Sequence, residues 1–258
     1  MRAIWTGAIG FGLVNIPVKM YSATQQSDLD LDMLDKKDHS HIRFKRVNES
    51  TGREIAWENI VKGYNLNGDY VIIDEEDFEK ASPKKSKILE ITEFVNEKDV
   101  DSIYFETPYY IEPQKSGAKA YILLRNALNK SGKAGLGSFV MRTKESLCLV
   151  RPSGKVLLVN KIRFDEEIRP ASELSVPSTT IKPAEMKMAM QLIDQLSGDF
   201  DISKYKDTYS SELLKIIKAK AKGKPINVPH MKVVHSKAKD IMSQLKESIS
   251  SRKLKKAS

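Results

Sequence analysis

The sequence predicts a mixed, mainly β fold: a strand-rich core, then a helical arm, then a basic tail. Three observations carry this reading. Up to residue 170, most apolar residues fall in short strand-length runs separated by Gly, Pro and polar turns. Residues 171–182 then form a Ser/Thr/Pro linker. Beyond it, apolar residues recur at helical spacing.

Residues 2–24 read as two strands. Gly7, Gly10 and Gly12 interrupt their apolar pattern, suggesting bulges or close backbone approach, and Pro17 argues for an edge or a break. Residues 28–66 are polar and turn-rich, with one alternating stretch, Ile42-Arg43-Phe44-Lys45-Arg46-Val47, and a turn at Thr51-Gly52. They predict a projecting hairpin with little core of its own. Val71-Ile72-Ile73 is a short strand. The acids from Asp74 to Glu79 suit the start of a helix that Ser82-Pro83 ends. Residues 87–96 and 102–112 read as strands. A helix follows over 116–130, with Ala120, Tyr121, Leu124, Ala127 and Leu128 on one side and Gly132 as its cap. Residues 136–164 read as further strands, with Pro152-Ser153-Gly154 turning between two of them. In the arm, Pro183 opens a helix that Gly198 ends; a second spans 208–222 and a third 236–250, and the tail Arg252-Lys253-Leu254-Lys255-Lys256 is expected to be disordered.

The 258 residues suffice for one large or two modest domains. No apolar run approaches the roughly 18 residues of a spanning helix, so no membrane role is expected. The N-terminus reads as the start of a strand and not a signal peptide. A single cysteine, Cys148, permits no internal disulfide, which fits a reducing cytosol. Net charge is +9 but uneven: residues 1–130 hold 18 basic and 21 acidic side chains, and residues 203–258 hold 15 and 4. A basic end of this kind attracts polyanions, nucleic acid foremost; a lysine-rich solubilising tail is the alternative.

No phosphate-binding loop of the G-x-x-x-x-G-K type occurs, and the glycines of 132–137 follow a helix, the reverse of the order that aims helix amides at a phosphate. Asp28, Asp30 and Asp32 start like a calcium loop, but Met33 and His39 stand where glycine and a bidentate acid belong. They read instead as a strand with one wet face. His39 and His41 lack a second ligand pair, so no metal or other cofactor is expected. No nucleophile, base or paired-carboxylate arrangement stands out, so the chain reads as a binding protein and not an enzyme.

Four stretches then carry a resemblance. They are Trp5-Thr6-Gly7-Ala8-Ile9-Gly10-Phe11-Gly12-Leu13-Val14-Asn15-Ile16-Pro17-Val18-Lys19-Met20-Tyr21; Ile42–Val47 with Thr51-Gly52 and Ile60-Val61-Lys62-Gly63-Tyr64; Tyr109–Pro113 with Ala120–Leu128; and Leu192-Ile193 through Lys204–Tyr209. Together, in this order, they resemble the prokaryotic Ku family over about residues 2–222. The resemblance implies a Ku-core β-barrel over 1–182, with an inserted strand bridge at 28–66 that encircles DNA. A helical arm at 183–222 would serve dimer contacts and ligase docking, and 223–258 would be a basic lysine-rich extension. It further implies a homodimeric ring, without catalytic activity, on double-stranded DNA ends, which recruits an ATP-dependent multidomain DNA ligase in the cytoplasm, associated with the nucleoid.

Carried onto this chain, the DNA-binding cations of the bridge would be Lys36, Lys37, Arg43, Lys45, Arg46, Arg53 and Lys62. Arg142, Lys144, Arg151 and Lys155 would add to them from the barrel wall. Leu192, Ile193, Tyr205, Tyr209, Leu213 and Leu214 would form the arm's contact surface. Lys237, Lys239, Lys246, Arg252, Lys253, Lys255 and Lys256 would supply the basic tail. Relatives with cysteines in the bridge have them where this chain has Asn48-Glu49-Ser50, which counts against a metal-stabilised bridge here. Arg43, Lys45 and Arg46 have a second explanation, the protection of an edge strand from aggregation. The alternative functions are a DNA-architectural or other non-sequence-specific DNA-binding protein, and a nucleic-acid enzyme with an unrecognised site.

Overall fold

Alternation on β1 (Trp5–Phe11) and β2 (Val14–Ser22) puts Ile9, Ile16, Val18 and Met20 on one face, and all four are fully buried. A computed structural model describes residues 1–81, 87–141, 144–223, 242–246 and 248–249. After β2 an insertion carries β3 (Lys62–Leu66), β4 (Asp69–Ile73) and α1 (Glu75–Ala81). Then come β5 (Ile88–Asn96), β6 (Phe105–Pro113), α2 (Ala118–Ser131), β7 (Lys133–Met141), β8 (Lys144–Ser153) and β9 (Val156–Ile162). Seven strands close a barrel in the order β1-β2-β6-β9-β8-β7-β5. This bears out the mainly β expectation and the barrel that the resemblance implied.

The barrel closes through a short parallel pairing of β1 with β5, from Ala8–Ile88 to Gly10–Glu90; its other pairings are antiparallel. Closure explains one of the early glycines. A Cβ on Gly7 would lie 2.2 Å from the Lys87 carbonyl oxygen, so a side chain there would push the two strands apart. Gly12 has a different role: with φ of 56° it opens the two-residue turn between Phe11 and Val14.

Pro17 is a correction. It stands inside β2, opposite Ala8. Its carbonyl accepts from the Gln114 N–H at 2.8 Å on the β6 side, where the β2–β6 ladder has already ended at Val18–Pro113. The missing proline N–H faces that same side and so removes no ladder bond.

α2 seals the barrel with Tyr121, Leu124 and Leu128, one buried stripe at helical spacing. The Tyr121 hydroxyl donates to the Ile111 carbonyl at 2.7 Å and accepts from the Leu157 N–H at 2.6 Å, tying the helix to β6 and β9. Gly132, at φ 65°, ends the helix as expected. The turn expected at Pro152-Ser153-Gly154 falls instead at Gly154-Lys155: Pro152 and Ser153 extend β8, and Gly154 takes the positive φ.

The chain divides into two compact units, Met1–Gln26 with Leu31–Pro170, and Ser27–Asp30 with the chain from Ala171. The second unit holds α3 (Pro183–Leu196) and α4 (Thr208–Ala221). Pro183 starts α3, and the Lys182 N–H donates to the Glu185 carboxylate at 3.0 Å. The Asp207 carboxylate caps α4 by accepting from the Ser210 N–H at 3.0 Å. Residues 242–246 and 248–249 are helical, within the third helix expected at 236–250. The rest of that helix and the tail after 250 lie outside the described residues, as do Ser82-Pro83.

Candidate nucleic-acid interface

The segment from 31 to 60 contains no strand, which corrects the strands expected at 28–32 and 42–47. Single bridges, Leu34–His41 and Val47–Glu54, replace a ladder. Around each, two backbone bonds hold a loop: Asp35 N–H to Ser40 O at 2.8 Å with Ile42 N–H to Met33 O at 3.0 Å, and Asn48 N–H to Arg53 O at 2.8 Å with Ile55 N–H to Arg46 O at 2.9 Å. Alternation supplies a strand's side-chain pattern, but a strand also needs a neighbour to pair with. The loops are tied by their own polar groups instead. The Asn48 side-chain oxygen accepts from the Ser50 and Thr51 N–H groups, both at 3.0 Å, and Gly52 takes φ 67°. His39 sits at φ 59° in the first loop. There the Asp38 carboxylate is held below its ordinary pKa by hydrogen bonds from Ser40.

Beyond these loops β3 and β4 form a regular hairpin. Its turn is Asn67-Gly68, both with positive φ, a strong hairpin signal that sequence reasoning missed by placing only 71–73 in a strand. Asp74 and Asp77 cap α1 reciprocally, each backbone N–H donating to the other's carboxylate.

The bridge cations differ in their surroundings. Arg46 lies over the Trp57 ring, 4.5 Å from its centroid, and Lys62 lies 4.6 Å over Phe78. Lys45 pairs with Glu54 at 2.6 Å, which raises the lysine pKa and commits its charge locally. The side chains of Lys36, Lys37, Arg43 and Arg53 make no ion pair or hydrogen bond among the described residues. Trp57 and Phe78, the platforms, were not singled out from the sequence; an aromatic in a polar, turn-rich stretch was the available signal.

The described barrel cations, Lys144, Arg151 and Lys155, do not form one group. Lys144 begins β8, whereas Arg151 and Lys155 lie toward its other end, ~23 Å away along an extended strand. Arg151 donates to Asn160 at 2.9 Å and to Glu97 at 2.8 Å, half-buried within the barrel wall. Lys155 sits in the β8–β9 turn, where its carbonyl accepts from Arg125 at 2.6 Å. Arg142, Lys237, Lys239, Arg252, Lys253, Lys255 and Lys256 lie outside the described residues; Lys246 is exposed on the short helical stretch.

The bridge is also apolar. Phe44 is 79% exposed and Trp57 68%, and Leu31, Met33, Val61, Tyr64 and Tyr70 are uncovered as well. The arm shares this character: no residue of α3 or α4 is buried. Ile193, Tyr205, Tyr209 and Leu214 are exposed, and Leu192 and Leu213 half-buried.

No group of three or more His, Cys, Asp or Glu side chains comes together to hold a metal among the described residues, and no described helix is long and apolar enough to cross a membrane. Cys148 is fully buried in the barrel, which pushes its thiol pKa far up.

Comparison with known proteins agrees with this architecture. Residues 10–190 match the family model described as the Ku70/Ku80 beta-barrel domain. A Coxiella burnetii protein named "Non-homologous end joining protein Ku" is 38% identical, covering 96% of this chain and 94% of that one. Proteins of the same name from Cupriavidus necator and Pseudomonas aeruginosa are 40% and 37% identical, over 85% and 97% of this chain and 67% and 89% of theirs.

Proposed function

Because the chain belongs to the Ku family of bacterial non-homologous end joining, we propose that two copies form a ring that threads onto double-stranded DNA ends without reading sequence. The observation that carries this is the bridge expected at 28–66. It combines a solvent-exposed apolar surface, which a single chain leaves uncovered, with exposed cations and no base-reading motif.

Backbone contacts position a protein on DNA without specifying bases. Arg43, Arg46, Arg53, Lys36, Lys37 and Lys62 contact phosphates, and each neutralised phosphate contributes about −0.9 to the slope of log affinity against log salt. Registers along the duplex are then nearly equal in energy, so the ring slides once loaded. Lys144 and Lys155 add contacts from the barrel wall. The arm holds the dimer and docks an ATP-dependent ligase through Tyr205, Tyr209 and the α3 and α4 stripes. The basic extension adds further cations. The protein's contribution to repair is binding, not catalysis.

The test is a competition between linear and covalently closed duplex, with joining by a bacterial ATP-dependent ligase measured alongside. Linear duplex is expected to win and joining to rise with added protein. Equal binding to the closed circle would rule out loading at ends, and would favour an architectural DNA-binding role instead.

A further inference from the structure

α2 has a second apolar side that the barrel does not use. Tyr121, Leu124 and Leu128 face inward, whereas Leu123 is 70% exposed. Leu123 and Ala127 look onto Phe11, Val14 and Phe94, and together they line a groove of about 500 Å³. That volume falls within the roughly 300–1,000 Å³ typical of ligand pockets. Phe11 and Phe94 stand edge to face, with centroids 6.1 Å apart, so the floor is a fixed aromatic surface.

The helical border of the groove is basic. α2 carries Lys119, Arg125 and Lys130 and no acid; Lys115 precedes it and Lys133 follows. Steps of four, four and three residues set Lys119, Leu123, Ala127 and Lys130 along a single stripe of the helix. Lys133 is the charged residue in the groove's lining, and neither Glu90 nor Glu93 of β5 reaches it. No ion pair neutralises Lys119, Lys130 or Lys133 among the described residues.

We propose that this groove is a docking site for an amphipathic acidic peptide segment of a partner protein, its apolar side chains seated against Phe11, Phe94 and Leu123 and its carboxylates on the lysine rim. An apolar trench with lysines along its helical border suits such a peptide better than a nucleic-acid backbone, which presents phosphates and no apolar anchor. The groove lies outside the bridge, so this inference and the DNA reading stand or fall separately.

The probe is a random peptide library displayed on phage and panned against the full-length protein, with fluorescent copies of the selected peptides titrated afterwards. The expected winners combine large apolar residues with flanking Asp and Glu. Leu123→Gln is expected to weaken them by about tenfold or more, a difference of about 1.4 kcal/mol. Lys119→Gln with Lys130→Gln should flatten the salt dependence of peptide binding, and linear duplex affinity should stay unchanged in both variants. Because Leu123 is exposed, Leu123→Gln should keep the parent's thermal melt. Winners without acidic enrichment, winners that bind Leu123→Gln as tightly as the parent, or winners displaced by duplex DNA would overturn the proposal. So would a change of oligomeric state in Leu123→Gln, measured by light scattering, since the face would then be a contact between copies.

Discussion

At Arg46 a planar guanidinium rests on the Trp57 ring, leaving its N–H edge free for an oxygen-rich anion. Lys45, one residue away, is instead committed to Glu54. Charge reversal therefore has a graded outcome across the bridge. Arg43→Glu with Arg46→Glu should weaken binding to all duplex sequences by similar factors and reduce the salt slope by about 1.8, for two phosphates lost at about 0.9 each. Anisotropy titrations across a salt series check this, and an unchanged slope would remove these two arginines from the interface. Trp57→Ala should lower affinity while leaving the slope intact, because it removes a support and no cation. Cys148 gives a residue-scale control on folding. With its pKa raised by burial, the thiol stays protonated at neutral pH and out of contact with solvent, so thiol reagents should label it only after denaturation.

Elements differ in how much of their structure is local. α2 was legible because its apolar residues recur every three or four positions and Gly132 marks its end. α3 and α4 were legible from Pro183 and from stripes such as Leu213 with Ile217. The bridge was not, because alternation at 42–47 coincides with loops closed by Asn48 and Gly52, whose local bonds compete with a ladder. The Tyr121 hydroxyl also joins elements that no window of sequence brings together. Tyr121→Phe leaves the Leu157 N–H and the Ile111 carbonyl each one partner short, and should cost about 1–3 kcal/mol in urea unfolding. A loss well below that range would mean that these backbone groups find other partners.

For the whole molecule, uneven charge and uncovered apolar surface point to association. If two copies form the proposed ring, deleting 223–258 should spare their association while altering DNA affinity or sliding, since the apolar surfaces of the bridge and α3–α4 remain; a monomer by light scattering would contradict that. Patterns repeated within a few residues (strand alternation in β1 and β2, helical stripes, the basic end) belong to the sequence by itself, and with them came the kind of element and the polyanion it suits. Tertiary structure decided the rest. Parallel closure of β1 on β5 set the need for Gly7, Arg151 found Glu97 across 54 positions, and Trp57 came under Arg46. The physical reason is the range of the interaction: hydrophobic period and backbone preference act between near neighbours, whereas a pairing between distant strands or side chains exists only once the chain has closed the loops that separate them.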